Sequence, residues 1–386
     1  MAGRRAYLDF NATAPLRECA RAAMVEALDM VGNPSSVHSE GRAARRVVED
    51  ARREVAALVG AAPANVVFTS GATEAASMLL SPEWRMGRGA VRAARLYVSA
   101  ADHPCLLSGG RFSPSDVEII PVDANGLVDL GVLEARLGAH DRGAGVPLVA
   151  VHAANNETGV VQPVSAIAAA VKAAGGVSVI DAVQAAGRIP LDIADASVDF
   201  FILSSHKIGG PKGVGAVVAA SDLMMPAPLV RGGGQERGHR AGTENLPGIA
   251  GFGAAARAAR EGLAGMAAIA ARRDRIEADI LVQEPAAEFF GRAAPRLPNT
   301  SFFALPGIKA ETAQIAFDLA GVALSAGSAC SSGKVGPSHV LKAMGLGEAT
   351  GALRVSIGET TTEEDVALFS RALAGLLARR NATKAA

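Results

Sequence analysis

Several strand ends in this sequence carry residues whose types and spacing could do chemistry. Lys207 follows the apolar run "FFIL" and the polar residues Ser204, Ser205 and His206, just ahead of a Gly-Gly-Pro turn. A lysine drawn partly out of water has a lowered pKa, and its freed lone pair can attack a carbonyl. A surface lysine at a loop entrance is the plainer reading. Asp181 ends the apolar run "VSVID". A carboxylate there needs a cation or several hydrogen bonds, which a helix cap or a buried salt bridge would also supply. The stretch "VVFTSGATEAAS" passes through Gly71, Ala72 and Thr73 into a helix. Small residues bring backbone N–H groups close to a ligand, and a helix N-terminus favours an anion. Thr73 adds a hydroxyl, or serves simply as an N-cap. The turn lacks the lysine of a nucleoside-triphosphate loop. Asn155, Asn156 and Glu157 close "VPLVAVHAANNE" before a glycine, where turn chemistry alone would explain the asparagines.

Taken together these features fit one cofactor, pyridoxal 5′-phosphate. It needs a Schiff-base lysine, an acid partner for its pyridinium nitrogen and a cup for its phosphate. Lys207, Asp181 and the Gly-Ala-Thr turn supply one of each. An aspartate that keeps the ring nitrogen protonated lets the ring absorb electrons when a bond at the substrate Cα breaks.

The elements that must position these groups are legible as alternating runs. "RLYVSA", "VEIIPV", "VPLVAVHA", "VSVIDAV", "DFFILSS" and "GAVVAA" read as short buried strands. Helical segments such as "VSAIAAAVKAAGG" separate several of them, that one closing on a glycine pair. Such alternation implies right-handed βαβ units in a mostly parallel sheet with helices on both faces. Ligands of such sheets bind at the carboxyl ends of strands. This pattern predicts a large cofactor-binding domain over residues 15–255. The stretch "GFGAAARAAREGLAGMAAIAARRDRIEADILVQE" reads as one long helical element joining it to a smaller α+β domain of residues 1–14 and 256–386. There "NTSFFALP", "GVALSAGSAC" and "ALRVSIG" read as strands, and the last helix opens on Thr362 with Asp365 in its first turn.

Bulk composition excludes several classes. The 386 residues are 49% hydrophobic and 20% charged, which is globular. Thirty-eight basic residues balance thirty-eight acidic ones, so no global field argues for nucleic acid or membrane as a partner. The three cysteines, Cys19, Cys105 and Cys330, are widely spaced, which predicts a reducing compartment, no disulfide framework and no metal site. The start "MAGRRAYLDF" has no apolar run to make a signal peptide, and no stretch approaches a membrane span. A cytoplasmic location is expected.

Nearly the whole chain resembles the cysteine desulfurases, within the class V aminotransferase group of fold-type I enzymes. The matching stretches are "YLDFNATAPL", "GNPSSVHSEGRAAR", "VFTSGATE", "ADHP", "NNETGVVQP", "DAVQAAG", "SSHKIGGPKGVG", "GGGQERGHRAGTEN", "SAGSACSSG" and "PSHVLKAMGL", in that order. "RAGTEN" and the long Gly/Ser segment around Cys330 are similar to the iron–sulfur and nitrogen-fixation branch. The resemblance implies a sheet of the seven-stranded type. It also implies L-cysteine as substrate, L-alanine as product, a homodimer, and a sulfur acceptor or iron–sulfur scaffold protein as partner.

By the same resemblance, Lys207 would hold the cofactor aldehyde, Asp181 the ring nitrogen and Gln184 the ring hydroxyl. His103 would stack on the ring and move protons, although a lone histidine after a strand is otherwise more often structural. Ala72, Thr73, Ser204 and His206 would hold the phosphate, and Thr243 the phosphate of the other subunit. Asn155 and Arg354 would bind the substrate carboxylate, with Asn33 helping to line the pocket. Cys330, in a small-residue stretch with glycine and serine on both sides, would be the sulfur-accepting nucleophile. Cys19 and Cys105 read as structural.

Ala14, Ala75 and Ala76 depart from the family's usual residues, and "SPEWRMGRGAVRAAR" is atypical in composition. The alternatives are a selenocysteine lyase or a plain aminotransferase of the same fold. A catalytically idle scaffold for iron–sulfur assembly is the reading of a different class.

Overall fold

The computed structural model describes residues 4–327, 338–346 and 352–385. In chain order the first elements are β1 (Ala6–Tyr7), α1 (Glu18–Leu28), α2 (Ser39–Leu58), β2 (Val66–Thr69), α3 (Ala72–Leu79), β3 (Glu83–Met86) and β4 (Gly89–Ser99). There follow α4 (Pro104–Leu107), β5 (Val117–Ile120), α5 (Leu130–Gly138), β6 (Val146–His152), α6 (Val164–Ala173), β7 (Val177–Asp181), β8 (Phe200–Ser204), β9 (Gly215–Ala219) and β10 (Met224–Pro226). The remainder is α7 (Leu246–Gly262), α8 (Met266–Gln283), β11 (Glu288–Phe289), β12 (Thr300–Ala304), α9 (Ala310–Leu319), β13 (Val322–Ala323), β14 (Ser325–Ala326), α10 (His339–Ala343), β15 (Leu353–Ser356) and α11 (Glu363–Ala385).

The large sheet runs β5-β4-β6-β7-β8-β9-β2, parallel from β5 to β8 and antiparallel at β9 and β2. Its central strands are buried at every position because helices cover both faces, so they read as unbroken apolar runs. Alternate side chains of one strand enter opposite cores. Phe201 and Leu203 pack with α1, α2 and α7, whereas Phe200 and Ile202 pack with α3 and α4. The compositionally odd segment after α3 makes the antiparallel hairpin β3–β4, and β10 pairs with β3 outside it. These two strands extend the sheet beyond the seven-stranded type that the resemblance implied.

A second, antiparallel sheet has the order β11-β12-β15-β14. Its core includes Phe303 and the stacked rings of Phe317 and Phe369 between α9 and α11. At α11 the Thr362 N–H donates to Asp365 and the Asp365 N–H to the Thr362 hydroxyl, a reciprocal cap. The single helical element expected after residue 250 is two helices. Glycines 262 and 265 flank a short tight turn between α7 and α8, and α7 runs through position 255. The N-terminal strand β1 pairs in parallel with β13, and Asp9 bridges to Ser356. From this separate two-stranded sheet the chain runs to the end of β8, where the Ala14 N–H donates to the His206 carbonyl, so residues 10–14 bring their backbone carbonyls between the small and large sheets.

Candidate functional site

A cavity of about 640 Å³ opens at the carboxyl ends of β7 and β8. Lys207, Asp181, Gln184, His103, Ser204, His206, Ala72 and Thr73 line it. Lys207 sits in a single helical turn that follows β8. Its Nζ donates to the Asn11 carbonyl at 2.6 Å and the Ala12 carbonyl at 3.0 Å. Asp181 Oδ1 accepts from the Val183 N–H at 2.9 Å. Burial pushes the Asp181 carboxyl up to about 6; the negative Asp102 adds to this, while the Val183 N–H, His152 and Lys207 oppose it.

Both histidines are neutral at pH 7. Burial first, then the Lys207 charge, push His103 and His206 down to about 4. His103 caps α4, its Nδ1 accepting from the Cys105 N–H at 3.2 Å, so the ring proton is assigned to Nε2. The turn into α3 also lines the cavity. Gly71, not Thr73, is the N-cap, and the first amides of the helix have no intrahelical acceptor. A Cβ on Gly71 would meet nothing within 4 Å, so the turn faces open space. A Cβ on Gly215 would lie 2.7 Å from the Gly71 Cα, so glycine at 215 is what lets the turn rest on β9. An amine, a buried acid and an open helix N-terminus around one cavity fit a ring aldehyde with an anionic arm.

Comparison with known proteins agrees with this geometry. The Aminotransferase class-V family model matches residues 6–369. A cysteine desulfurase of Frankia sp. (strain EuIK1) is 42% identical, the match covering 97% of this chain and 90% of that protein. One from Cereibacter sphaeroides is 41% identical over 94% of this chain and 93% of its own. The chain belongs to the class-V aminotransferase family, in its cysteine desulfurase group. The X-ray structure of a NifS-like protein from Rickettsia africae ESF-5 superposes with a TM-score of 0.87 at 31% identity, covering 97% of this chain and 99% of that one.

Other residues singled out from the sequence lie outside the residues that line this cavity. Asn155 is buried one position from the cavity-lining Asn156. Its side chain donates to the Ala101 carbonyl at 2.9 Å and accepts from the Glu157 and Thr158 N–H groups. Arg354 is buried on β15, donating to Asp9 at 2.7 Å, the Ser325 hydroxyl at 3.1 Å and the Asn156 carbonyl at 2.9 Å. Asn33 is exposed, its Oδ1 accepting from the Ser35 N–H at 2.8 Å. Thr243 is exposed in a smaller groove that shares Ser70 and Gly213 with the main cavity. Its loop is anchored by Glu236, whose carboxylate takes both ends of the Arg52 guanidinium and the Phe68 N–H. Glu236 and Arg237 are held there at φ 46° and 55°, unusual for side-chain-bearing residues. Cys330 lies outside the described residues. Of the described residues beyond it, Ser338 donates to Glu157 at 2.5 Å, and His339 meets the carbonyl of Asp102, next to His103.

Several groups at this site had no sequence signal. Asn11 and Ala12 act through backbone carbonyls, which no side-chain pattern reports. His152, paired with Asp102 at 2.5 Å, and Lys212 also line the cavity.

The Asp181 acid has a measurable consequence. A buried carboxyl with a raised pKa binds its proton more tightly folded than unfolded. The Asp181 contribution to the stability of the cofactor-free protein should therefore fall as pH rises from about 4 through about 6, by roughly 3 kcal/mol, against the rise that His103 and His206 contribute over the same range, so it is read as the difference in slope between the wild type and a variant. Asp181→Asn should remove that contribution and be the more stable protein at pH 7.5, measured by urea unfolding at pH 4.5 and 7.5. An unchanged slope in the variant would refute the assignment.

Proposed function

We propose that this chain is a cysteine desulfurase that binds pyridoxal 5′-phosphate and converts L-cysteine to L-alanine. The sulfur is held as a persulfide on Cys330 for an acceptor protein. The observation that carries the reading is the Lys207 amine and the Asp181 carboxyl on the wall of one cavity, in a chain of this family. Lys207 would hold the aldehyde carbon, Asp181 the pyridinium N–H, Gln184 the ring oxygen and His103 the ring face. Ala72, Thr73, Ser204 and His206 would hold the phosphate, completed by Thr243 from a second subunit of a homodimer. Asn155 and Arg354 would bind the substrate carboxylate, with Asn33 in a segment that helps line the pocket. The large unit of residues 15–255 would carry the cofactor, and residues 1–14 with 256–386 the sulfur-accepting cysteine.

When bound, the cofactor supplies an electron sink for bonds broken at the substrate. The residues of the chain do the rest. Lys207 Nζ would be the base that takes the Cα proton. His103, neutral with its proton on Nε2, is a donor at the same wall. The Cys330 thiolate attacks the substrate sulfur, the carbon–sulfur bond breaks with its electrons left on carbon, and a proton at Cβ completes alanine. The sulfur then leaves Cys330 for a thiol of the acceptor.

The test is product analysis. Purified protein with pyridoxal phosphate, L-cysteine and a thiol reductant should yield alanine and sulfide in equal amounts. Amino-group transfer to a keto acid without sulfide would replace this reading with an aminotransferase.

A further inference from the structure

Arg188 lies in the turn after β7 and is only 8% exposed. Its Nη1 donates to the Gln184 carbonyl at 3.1 Å and to Gln184 Oε1. Its Nη2 donates to the Phe10 carbonyl at 3.3 Å and the Lys207 carbonyl at 3.4 Å. No carboxylate among the described residues pairs with it; its acceptors are all amide oxygens. A buried guanidinium without a counter-charge is costly to keep. Burial, then the nearby Arg354, push its pKa down to about 9.

Arg188 also lines a second cavity of about 180 Å³ behind Lys207, so a ligand-binding role competes with a structural one. The terminal donors favour the structural one. A guanidinium has four terminal N–H bonds, and four carbonyl oxygens already face them. Nothing at Nη1 or Nη2 is left for a ligand.

Those acceptors surround the reactive amine. Phe10 precedes Asn11 and Ala12, whose carbonyls hold Lys207 Nζ. Gln184 Nε2 shares the Asn11 carbonyl at 3.0 Å. Arg188 also fixes which way Gln184 faces. An arginine has donors only, so it admits the oxygen of the Gln184 amide and excludes the nitrogen. The amide NH2 is thereby set toward Asn11, with a second hydrogen to spare on a residue that lines the main cavity.

We propose that Arg188 is a positioning residue. It locks Gln184 as a donor toward an anionic ring oxygen. This rests on the reading that the main cavity binds pyridoxal phosphate. The experiment is titration of the cofactor-free full-length protein with pyridoxal phosphate, followed by its visible absorbance. Arg188→Met should weaken binding about tenfold, as loss of a charge-assisted bond does, and shift the balance between the bands of ionised and neutral ring hydroxyl. Arg188→Lys, which keeps a charge without the fork, should recover less than half of that loss on a logarithmic scale. In a Gln184→Ala background the Met substitution should add less than about twofold, because the residue it acts through is gone.

Unchanged binding and bands in both Arg188 variants would overturn the role. So would an undiminished loss in the Gln184→Ala background, which would mark general damage. Should Arg188→Met not fold, the Lys variant and its double variant give the same comparison. A wild-type protein that takes up no pyridoxal phosphate would overturn the functional reading as well. Uptake by wild type with indifferent variants would overturn the role of Arg188 alone.

Discussion

Lys207→Ala should lower conversion of L-cysteine by about 10³-fold or more, with little change in the stability of the cofactor-free protein. Lys207 is only partly buried, so its removal leaves no large cavity. Its amine is held by two backbone carbonyls, a clamp that fixes Nζ against the cavity wall. Lys212 lines the same cavity, but it is exposed on the turn and no such clamp holds it among the described residues. It should not substitute. Lys207→Arg should be as inactive as Lys207→Ala, because a guanidinium stays protonated and cannot condense with an aldehyde. Borohydride treatment of the wild-type protein should fix the cofactor to the peptide carrying Lys207, and mass mapping reads the site. Retention of a tenth of the activity in either variant, or label on Lys212, would remove Lys207 from the centre of the mechanism.

The parts of the site legible in the sequence are those that sit at the ends of buried strands. Asp181, Ser204 and His206 each interrupt or follow an apolar run. A polar residue there is visible because burial on both faces leaves the rest of the strand no polar positions. All eight of Ala72, Thr73, His103, Asp181, Gln184, Ser204, His206 and Lys207 line one cavity. The mostly parallel sheet with helices on both faces followed from strand–helix alternation, and the family from motifs spread along the chain. Less legible were features created by tertiary contact. The carbonyls of Asn11 and Ala12 matter because the chain crosses between sheets there, a consequence of β1 pairing with β13 more than three hundred residues away. Arg188 reads as a loop arginine until the acceptors around it are seen. The hairpin β3–β4 hides in an arginine-rich segment, since an edge hairpin need not carry an apolar run. The break between α7 and α8 was masked by alanines that propagate helix on either side of two glycines.

Cys330→Ser should abolish production of sulfide and alanine from L-cysteine, again by about 10³-fold or more, while leaving pyridoxal phosphate uptake intact. The case is one of elimination combined with family membership, because the chain has three cysteines. Cys105 lines the cavity, yet burial, with Asp181 and Asp102 beside it, pushes its thiol far above the ordinary range, so it has no thiolate to offer near neutral pH. Cys19 is exposed on α1 with its Sγ 3.8 Å from the Ala254 carbonyl, outside the residues that line the cavity. That leaves Cys330, whose segment rejoins the described chain at Ser338 and His339, bonded to Glu157 and to Asp102 beside the cavity wall. Serine is close in size but is not a nucleophile toward sulfur at neutral pH. The protein should therefore bind cofactor and substrate and stop before the carbon–sulfur bond breaks. Cyanide release of labelled sulfur after exposure to labelled cysteine counts the persulfide directly. It should give one equivalent per chain in the wild type, none in Cys330→Ser, and one in Cys19→Ser and in Cys105→Ala. Label retained in Cys330→Ser and lost in Cys105→Ala would move the nucleophile into the cavity and overturn the assignment.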